Sequence, residues 1–164
     1  MTFQKLSIND PDGVREMSRV ATSIVREHYD PILGTTQNDY MLEKFQSVHA
    51  IKGQLEHGYQ YYFLCDGDTT VGFCAFLLKE DCLYLSKLYL YKNERGKGYA
   101  RAALNFLTEE AIAAGKSAIE LNVNKYNDHS IFVYEKLGFV RVRAEMNDIG
   151  SGYYMDDFVY RLAL

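Results

Sequence analysis

Along this chain the spacing of apolar residues switches between two and about 3.6, and the switches divide it into elements. Residues 2–8, with Phe3, Leu6 and Ile8, predict a short first strand. Asp10-Pro11 then reads as a helix start, with Asp as cap and Pro in the first turn. Val14, Met17, Ala21, Ile24, Val25 and His28 share one face of a helix expected to end near Tyr29, before Asp30-Pro31 and Gly34. From about Asn38, Met41, Phe45 and Val48 predict a second helix, and Ser47 can cap a further short one to His57, closed by Gly58. Aromatic and β-branched runs at 59–65 and 71–78 flank Asp66-Gly67-Asp68, a hairpin signal. The next strand spans 82–91. A helix from Gly98 to about Ala114 follows, then a strand on Ile119, Leu121 and Val123. After a polar loop, Ile131, Tyr134 and Leu137 predict a short helix ended by Gly138. Strands at 139–143 and about 154–162 complete the chain, joined through Ile149 to Gly152.

Two details of this pattern bear on chemistry. In the 82–91 strand the leucines change phase: Leu83 and Leu85 are odd-numbered, Leu88 and Leu90 even-numbered. One extra residue near Ser86-Lys87, a β-bulge, reconciles them; a strand buried on both faces is the alternative. The order strand, turn, helix, strand from residue 82 to 123 is a βαβ unit, so its two strands should pair in parallel. If the first one bulges, the pair splays, and backbone groups become free to bind an extended ligand.

The turn of that unit, Arg95-Gly96-Lys97-Gly98-Tyr99-Ala100-Arg101, combines two glycines with three cations ahead of a helix. Glycine allows backbone dihedrals closed to other residues, and a helix start directs unpaired N–H groups at an anion. A phosphate or pyrophosphate site is the chemistry invited, against a plain surface turn. The P-loop is excluded because Gly98, and not Ser or Thr, follows Gly96-Lys97. The dinucleotide fingerprint is excluded because its third glycine is replaced by Arg101.

Composition narrows the partners. Hydrophobic residues make up 48% of the chain and the formal net charge is −4. One globular domain over residues 1–164 is expected, with a core large enough to need no disulfide. An acidic chain argues against a general nucleic-acid binder. Cys65, Cys74 and Cys82 lie in apolar strand-like runs and read as buried small residues. No metal-ligand spacing links them to the four histidines, so no metal is expected. No signal-peptide core or membrane-length apolar run is seen, which makes a cytoplasmic location the default.

The pattern Arg/Gln-x-x-Gly-x-Gly/Ala, present as Arg95 to Ala100, resembles the acetyl-CoA signature of the GCN5-related N-acetyltransferase (GNAT) superfamily. Asn127, Ser130, Tyr134, Lys136, Gly138 and Phe139 are similar to its second motif, at the right distance and on the right elements. The resemblance is strong from about Leu83 to Phe139. The stretch 152–158 looks like the final hairpin of bacterial small-molecule acetyltransferases. The resemblance implies an α/β (α+β) GNAT fold: a mixed, mostly antiparallel sheet of six to seven strands, a splayed central parallel pair and about four flanking helices.

It also implies roles. Leu88, Tyr89 and Leu90 would pair with the pantetheine arm of acetyl-CoA. Arg95, Gly96, Lys97, Gly98, Tyr99, Ala100 and Arg101 would hold the pyrophosphate. Asn127 would bind the cofactor at the mouth of the splayed strands. Tyr134 would protonate the departing thiolate, as suits a phenol of pKa about 10. His28, Tyr29 and Tyr40 would contact the acceptor, alongside Phe45, where the first helices wall its site. Many relatives carry a glutamate base before the glycine turn; Ser86 and Lys87 stand there instead. Glu120 is the substitute base singled out, with Asp156, Asp157 and a water chain from His28 as others. The activity implied is acetyl transfer from acetyl-CoA to a primary amine of a small molecule, polyamine-like or amino-acid-like. A protein N-terminal or lysine acetyltransferase, a non-catalytic acyl-CoA-binding module and a nucleotide-binding domain are the alternatives. A homodimer through the C-terminal strands is left open.

Overall fold

A computed structural model describes residues 1–164. The strands are β1 (Thr2–Lys5), β2 (Gln60–Asp66), β3 (Thr69–Leu78), β4 (Cys82–Leu90), β5 (Ala118–Asn124), β6 (Val140–Gly150) and β7 (Tyr153–Ala163). The helices are α1 (Pro11–Leu33), α2 (Thr35–Gln46), α3 (Val48–Glu56), α4 (Tyr99–Ala113) and α5 (Asp128–Lys136), with one 3-10 turn at Lys92–Glu94. This is a mixed α/β fold with one seven-stranded sheet in the order β1-β2-β3-β4-β5-β7-β6. Its β4–β5 pair is parallel, as the βαβ order requires. The helices number five, as the apolar pattern predicts, against the about four that the resemblance implied. The chain divides into two compact units, one of residues 1–77 and 87–104, the other of 78–86 and 105–164.

In the first unit, β1 and β2, and β2 and β3, pair antiparallel. Val14, Met17, Val20, Ala21 and Ile24 of α1 are fully buried, in one cluster with Leu42, Ile51, Tyr61, Phe63, Phe73 and Ala75. Each such large apolar side chain contributes roughly 1.5–3 kcal/mol on burial. Asp10 caps α1 by accepting from Gly13 N at 3.0 Å. The helix does not stop at Tyr29. It runs through Pro31 to Leu33 and closes at Gly34, whose N–H donates to Asp30 O at 3.0 Å. Proline costs a helix most in its interior; here it sits in the last turn, and Gly34 at φ 82° supplies the reversal. Ser47 caps α3, accepting from Ala50 N at 3.1 Å, as its position suggested.

In the second unit, β5 pairs antiparallel with β7, and β7 with β6. Strand β6 is far longer than the predicted 139–143. It ends the sheet, and Val140, Val142 and Met146 are exposed on it. Helix α5 begins earlier than predicted, because Asn127 caps it by accepting from Ser130 N.

Candidate active site

The phosphate-type turn is built as its residues demand. Gly96 and Gly98 have φ of 77° and 84°, in the region that disfavours side chains. A Cβ at either position would meet nothing within 4 Å, so the turn is open where a ligand would approach. Helix α4 starts directly after Gly98 and is 15 residues long, so its first N–H groups and its dipole favour an anion there. Among the cations, Lys97 is paired with Glu94 at 3.0 Å. Tyr99 donates to Asp66, which pushes the phenol's pKa up to about 12.

Upstream, β4 is registered with β5 from Cys82 to Leu85 only, while β5 continues to Asn124 against β7. Leu88, Tyr89 and Leu90 lie beyond that last parallel pair. On the side of β3, Tyr91 N donates to Val71 O at 3.0 Å. A Cβ on Gly72 would fall 2.2 Å from the Tyr89 carbonyl oxygen and 2.9 Å from Leu90 Cδ2. The absence of a side chain at Gly72 therefore sets where this segment of β4 runs. Burial along β4 alternates through Leu83, Leu85 and Lys87, so the position where the apolar pattern broke is filled by a buried lysine.

The structure joins this turn to a cluster on α1. Arg95 Nη2 lies 3.2 Å from His28 Nδ1. A guanidinium can only donate, so Nδ1 is the bare ring nitrogen. His28 meets the Tyr29 ring edge-on at 4.8 Å, and Tyr29 meets Tyr89 at 6.2 Å. Tyr40 lies on α2, with Lys44 Nζ 5.9 Å from its ring centroid and equally far from that of Phe45.

In the second unit, Tyr134 is half-buried on α5, its ring 5.5 Å from that of Phe139 in an edge-on contact. Asn127 is buried, and its side-chain oxygen serves as the α5 cap. Glu120 is committed on both oxygens, accepting from Arg143 at 3.0 Å and from Arg161 at 3.0 Å. Asp157 differs: it is 3% exposed, and its one hydrogen-bond donor is the Asn122 amide at 3.4 Å. Burial pushes its carboxyl pKa above the ordinary range, and the Asp156 and Glu145 carboxylates act the same way. Tyr84 donates to Asn122 Oδ1 at 3.1 Å, so Tyr84, Asn122 and Asp157 form a polar row across β4, β5 and β7. No group of three His, Cys, Asp or Glu is placed to hold a metal ion. No helix is long and apolar enough to cross a membrane.

Comparison with known proteins places the chain in a family. The model of the acetyltransferase (GNAT) family matches residues 22–139. This chain belongs to that family. Two curated relatives match over shorter stretches. An uncharacterized N-acetyltransferase, YdgE of Bacillus subtilis, is 35% identical over 35% of this chain and 36% of its own. The L-amino acid N-acyltransferase MnaT of Escherichia coli is 33% identical over 39% of this chain and 37% of its own. The matches thus span little more than a third of those relatives. Among solved structures, the PaiA N-acetyltransferase of Thermoplasma acidophilum, in complex with coenzyme A, aligns over 100% of both chains with a TM-score of 0.77 and 18% identity. YncA of Salmonella typhimurium, with acetyl-CoA, aligns over 100% of this chain and 94% of its own, with a TM-score of 0.64 and 19% identity. At those identities the likeness is one of fold.

Two features of this chain lie outside the family motifs and were missed in the sequence. Lys87 enters the sequence reading only as part of a bulge expected near Ser86-Lys87, and Gly72 as a residue of an ordinary strand. An isolated glycine within a strand does signal close backbone approach, so Gly72 could have been found. A buried lysine leaves no comparable signal.

Proposed function

We propose that the chain moves the acetyl group of acetyl-CoA to a primary amine of a small molecule. The observation that carries this is the release of β4 from β5 after Leu85, followed at once by the open Gly96/Gly98 turn at the start of α4. Leu88, Tyr89 and Leu90 supply backbone groups for the pantetheine arm. The amides from Gly96 to Arg101 take the pyrophosphate, with Arg95, Lys97 and Arg101 supplying charge. Asn127 has its oxygen engaged as a helix cap, and its amide group serves the cofactor. His28, Tyr29 and Tyr40 line the acceptor side.

The amine nitrogen attacks the thioester carbonyl carbon, a C–N bond forms, and the C–S bond breaks. Tyr134 gives its hydroxyl proton to the leaving thiolate and recovers one through solvent as the acylated nitrogen sheds its extra proton to give the neutral amide. The attacking amine must first lose its ammonium proton. Both oxygens of Glu120 are occupied by the Arg143 and Arg161 guanidinium groups, so we assign that step to Asp157, which is buried and paired with no cation. The partial likeness to an L-amino acid N-acyltransferase puts amino acids beside polyamines at the head of the acceptor list.

The test is thiol release from acetyl-CoA across a panel of polyamines, amino acids and short peptides. Turnover of a small amine is expected. CoA binding with no turnover on any amine would favour an acyl-CoA-binding module instead. Gly98→Glu, placing bulk and negative charge in the turn at a residue of positive φ, should weaken CoA binding at least a hundredfold by isothermal titration. Unchanged affinity in a folded variant would remove the site assignment.

A further inference from the structure

Acetyl transfer as set out above makes no use of Lys87, yet this lysine has one of the most elaborate environments in the first unit. It is 7% exposed. Its Nζ donates to the Phe45 carbonyl at 2.8 Å, to Gln46 Oε1 at 3.0 Å, to Gln54 Oε1 at 3.0 Å and to the Tyr61 hydroxyl. It also lies 5.0 Å from the Tyr61 ring centroid. The partners are tied to one another. Tyr61 donates to Gln54 Oε1, and Gln54 Nε2 donates to the Phe45 carbonyl at 2.9 Å. Ser18 of α1 donates to the Gln46 carbonyl at 2.7 Å.

Four oxygens share the three ammonium protons; three are carbonyl oxygens that can only accept, and the Tyr61 hydroxyl spends its proton on Gln54 Oε1, so in this arrangement no donor faces a neutral amine's lone pair. None is a carboxylate. A buried cation without an anion is an expensive choice where methionine or leucine would fill the same strand position. What the cation supplies is geometry. Phe45 and Gln46 end α2, Gln54 lies on α3, and Tyr61 on β2, so one side chain joins the α2–α3 joint to β4. The residue after it begins the Leu88–Leu90 segment, which pairing with β5 no longer holds.

We propose that Lys87 is a positioning residue whose ammonium fastens the α2–α3 joint to β4, fixing the acceptor wall against the strand that carries the cofactor. This rests on the acetyltransferase function proposed above. Deprotonation turns a lone pair toward an oxygen and loosens the joint. The titratable group facing Lys87 is Tyr61 on β2, whose phenol pKa burial pushes up, so it stays protonated throughout. From α2 and α3 the groups facing Lys87 are neutral, and the nearby Lys44 is directed over the Tyr40 and Phe45 rings. Burial lowers the Lys87 pKa to about 7, which brings the change into the working range.

The experiment compares Lys87→Met and Gln54→Glu in the full chain. Lys87→Met should leave CoA affinity within about twofold, lower kcat/KM for the acceptor roughly tenfold, and abolish the alkaline fall in that parameter. Gln54→Glu places a carboxylate beside the ammonium and should move the alkaline limb up by about one pH unit or more. A folded Lys87→Met with unchanged acceptor kcat/KM, or a Gln54→Glu limb that does not move, would overturn the proposal. Should the wild type acetylate no amine, the acetyltransferase function falls separately. Amide hydrogen exchange over residues 45–57 then decides the tie: faster exchange in Lys87→Met sustains it and unchanged exchange overturns it.

Discussion

Neighbouring groups decide what a carboxylate is free to do, and Glu120 and Asp157 show the contrast. Both sit in strands of one sheet and lie on the same face of it. Glu120 faces Arg161 in register and is reached by Arg143 from β6, so its charge is compensated twice. Asp157 is buried beside one amide and two carboxylates, so a proton is easier to add to it. Its folded-state pKa is raised, so at pH values above the ordinary carboxylate range part of the population still carries the proton, and the base form accumulates as pH rises. We expect Asp157→Asn to lower kcat at least a hundredfold and to remove the acidic limb of the kcat/KM profile. Glu120→Gln should keep that limb and instead cost about 1–2 kcal/mol of stability in a urea titration, because two guanidinium groups lose a partner. A lost acidic limb in Glu120→Gln, with Asp157→Asn near wild type, would reverse the assignment. Sequence spacing could place both residues on strands. It could not separate them, because the two arginines that reach Glu120 come from β6 and β7, and only the order of strands in the sheet brings them to it.

Elements were legible wherever one period dominated. Strand β5, with Ile119, Leu121 and Val123 inward, and α3, with its serine cap, lie where the pattern put them. The failures share a cause: the deciding contact was tertiary. Strand β6 carries few buried side chains because it is an edge, so its hydrophobic pattern fades while its backbone stays paired to β7 as far as Gly150. Helix α1 outlasts Pro31 because Gly34 closes the turn beyond it. Gly72 belongs with these cases and has a functional consequence. Adding one methyl group there forces Tyr89 and Leu90 away from β3. That displacement acts on the segment assigned to the pantetheine arm, and the pyrophosphate turn lies further along the chain. Gly72→Ala is therefore expected to weaken CoA binding about tenfold and to destabilise the fold by about 1–3 kcal/mol. Adenosine 3′,5′-bisphosphate, which lacks the pantetheine arm, should compete for the turn as well as it does in the wild type. Equal loss for both ligands in a competition assay would mean that the damage is general.

The whole molecule carries the cost of Lys87 as well as its geometry, and that cost depends on pH. The unfolded chain keeps this lysine protonated up to the ordinary range near 10.5, while the folded chain releases the proton near pH 7. Between those values the unfolded state binds more protons than the folded one, so stability attributable to this residue rises with pH. Below about pH 7 both states are charged and the contribution is flat. Most buried carboxyl groups with lowered pKa values place their pH dependence in the acid range, so a gain above neutrality is a distinctive sign of a buried lysine. Thermal unfolding of the wild type and of Lys87→Met from pH 6 to 10 isolates it, since every other titrating group is common to both. The difference in Tm should be constant up to about pH 7 and then shift steadily in favour of the wild type as pH rises. A pH-independent difference would mean that the ammonium is as well solvated by its four oxygen partners as by water. The same alkaline range that stabilises the fold would then have to loosen the α2–α3 joint, if the lost proton is what held it. Stability and acceptor turnover should therefore move in opposite directions above pH 7, a divergence that a lysine serving only to stabilise the core would not produce.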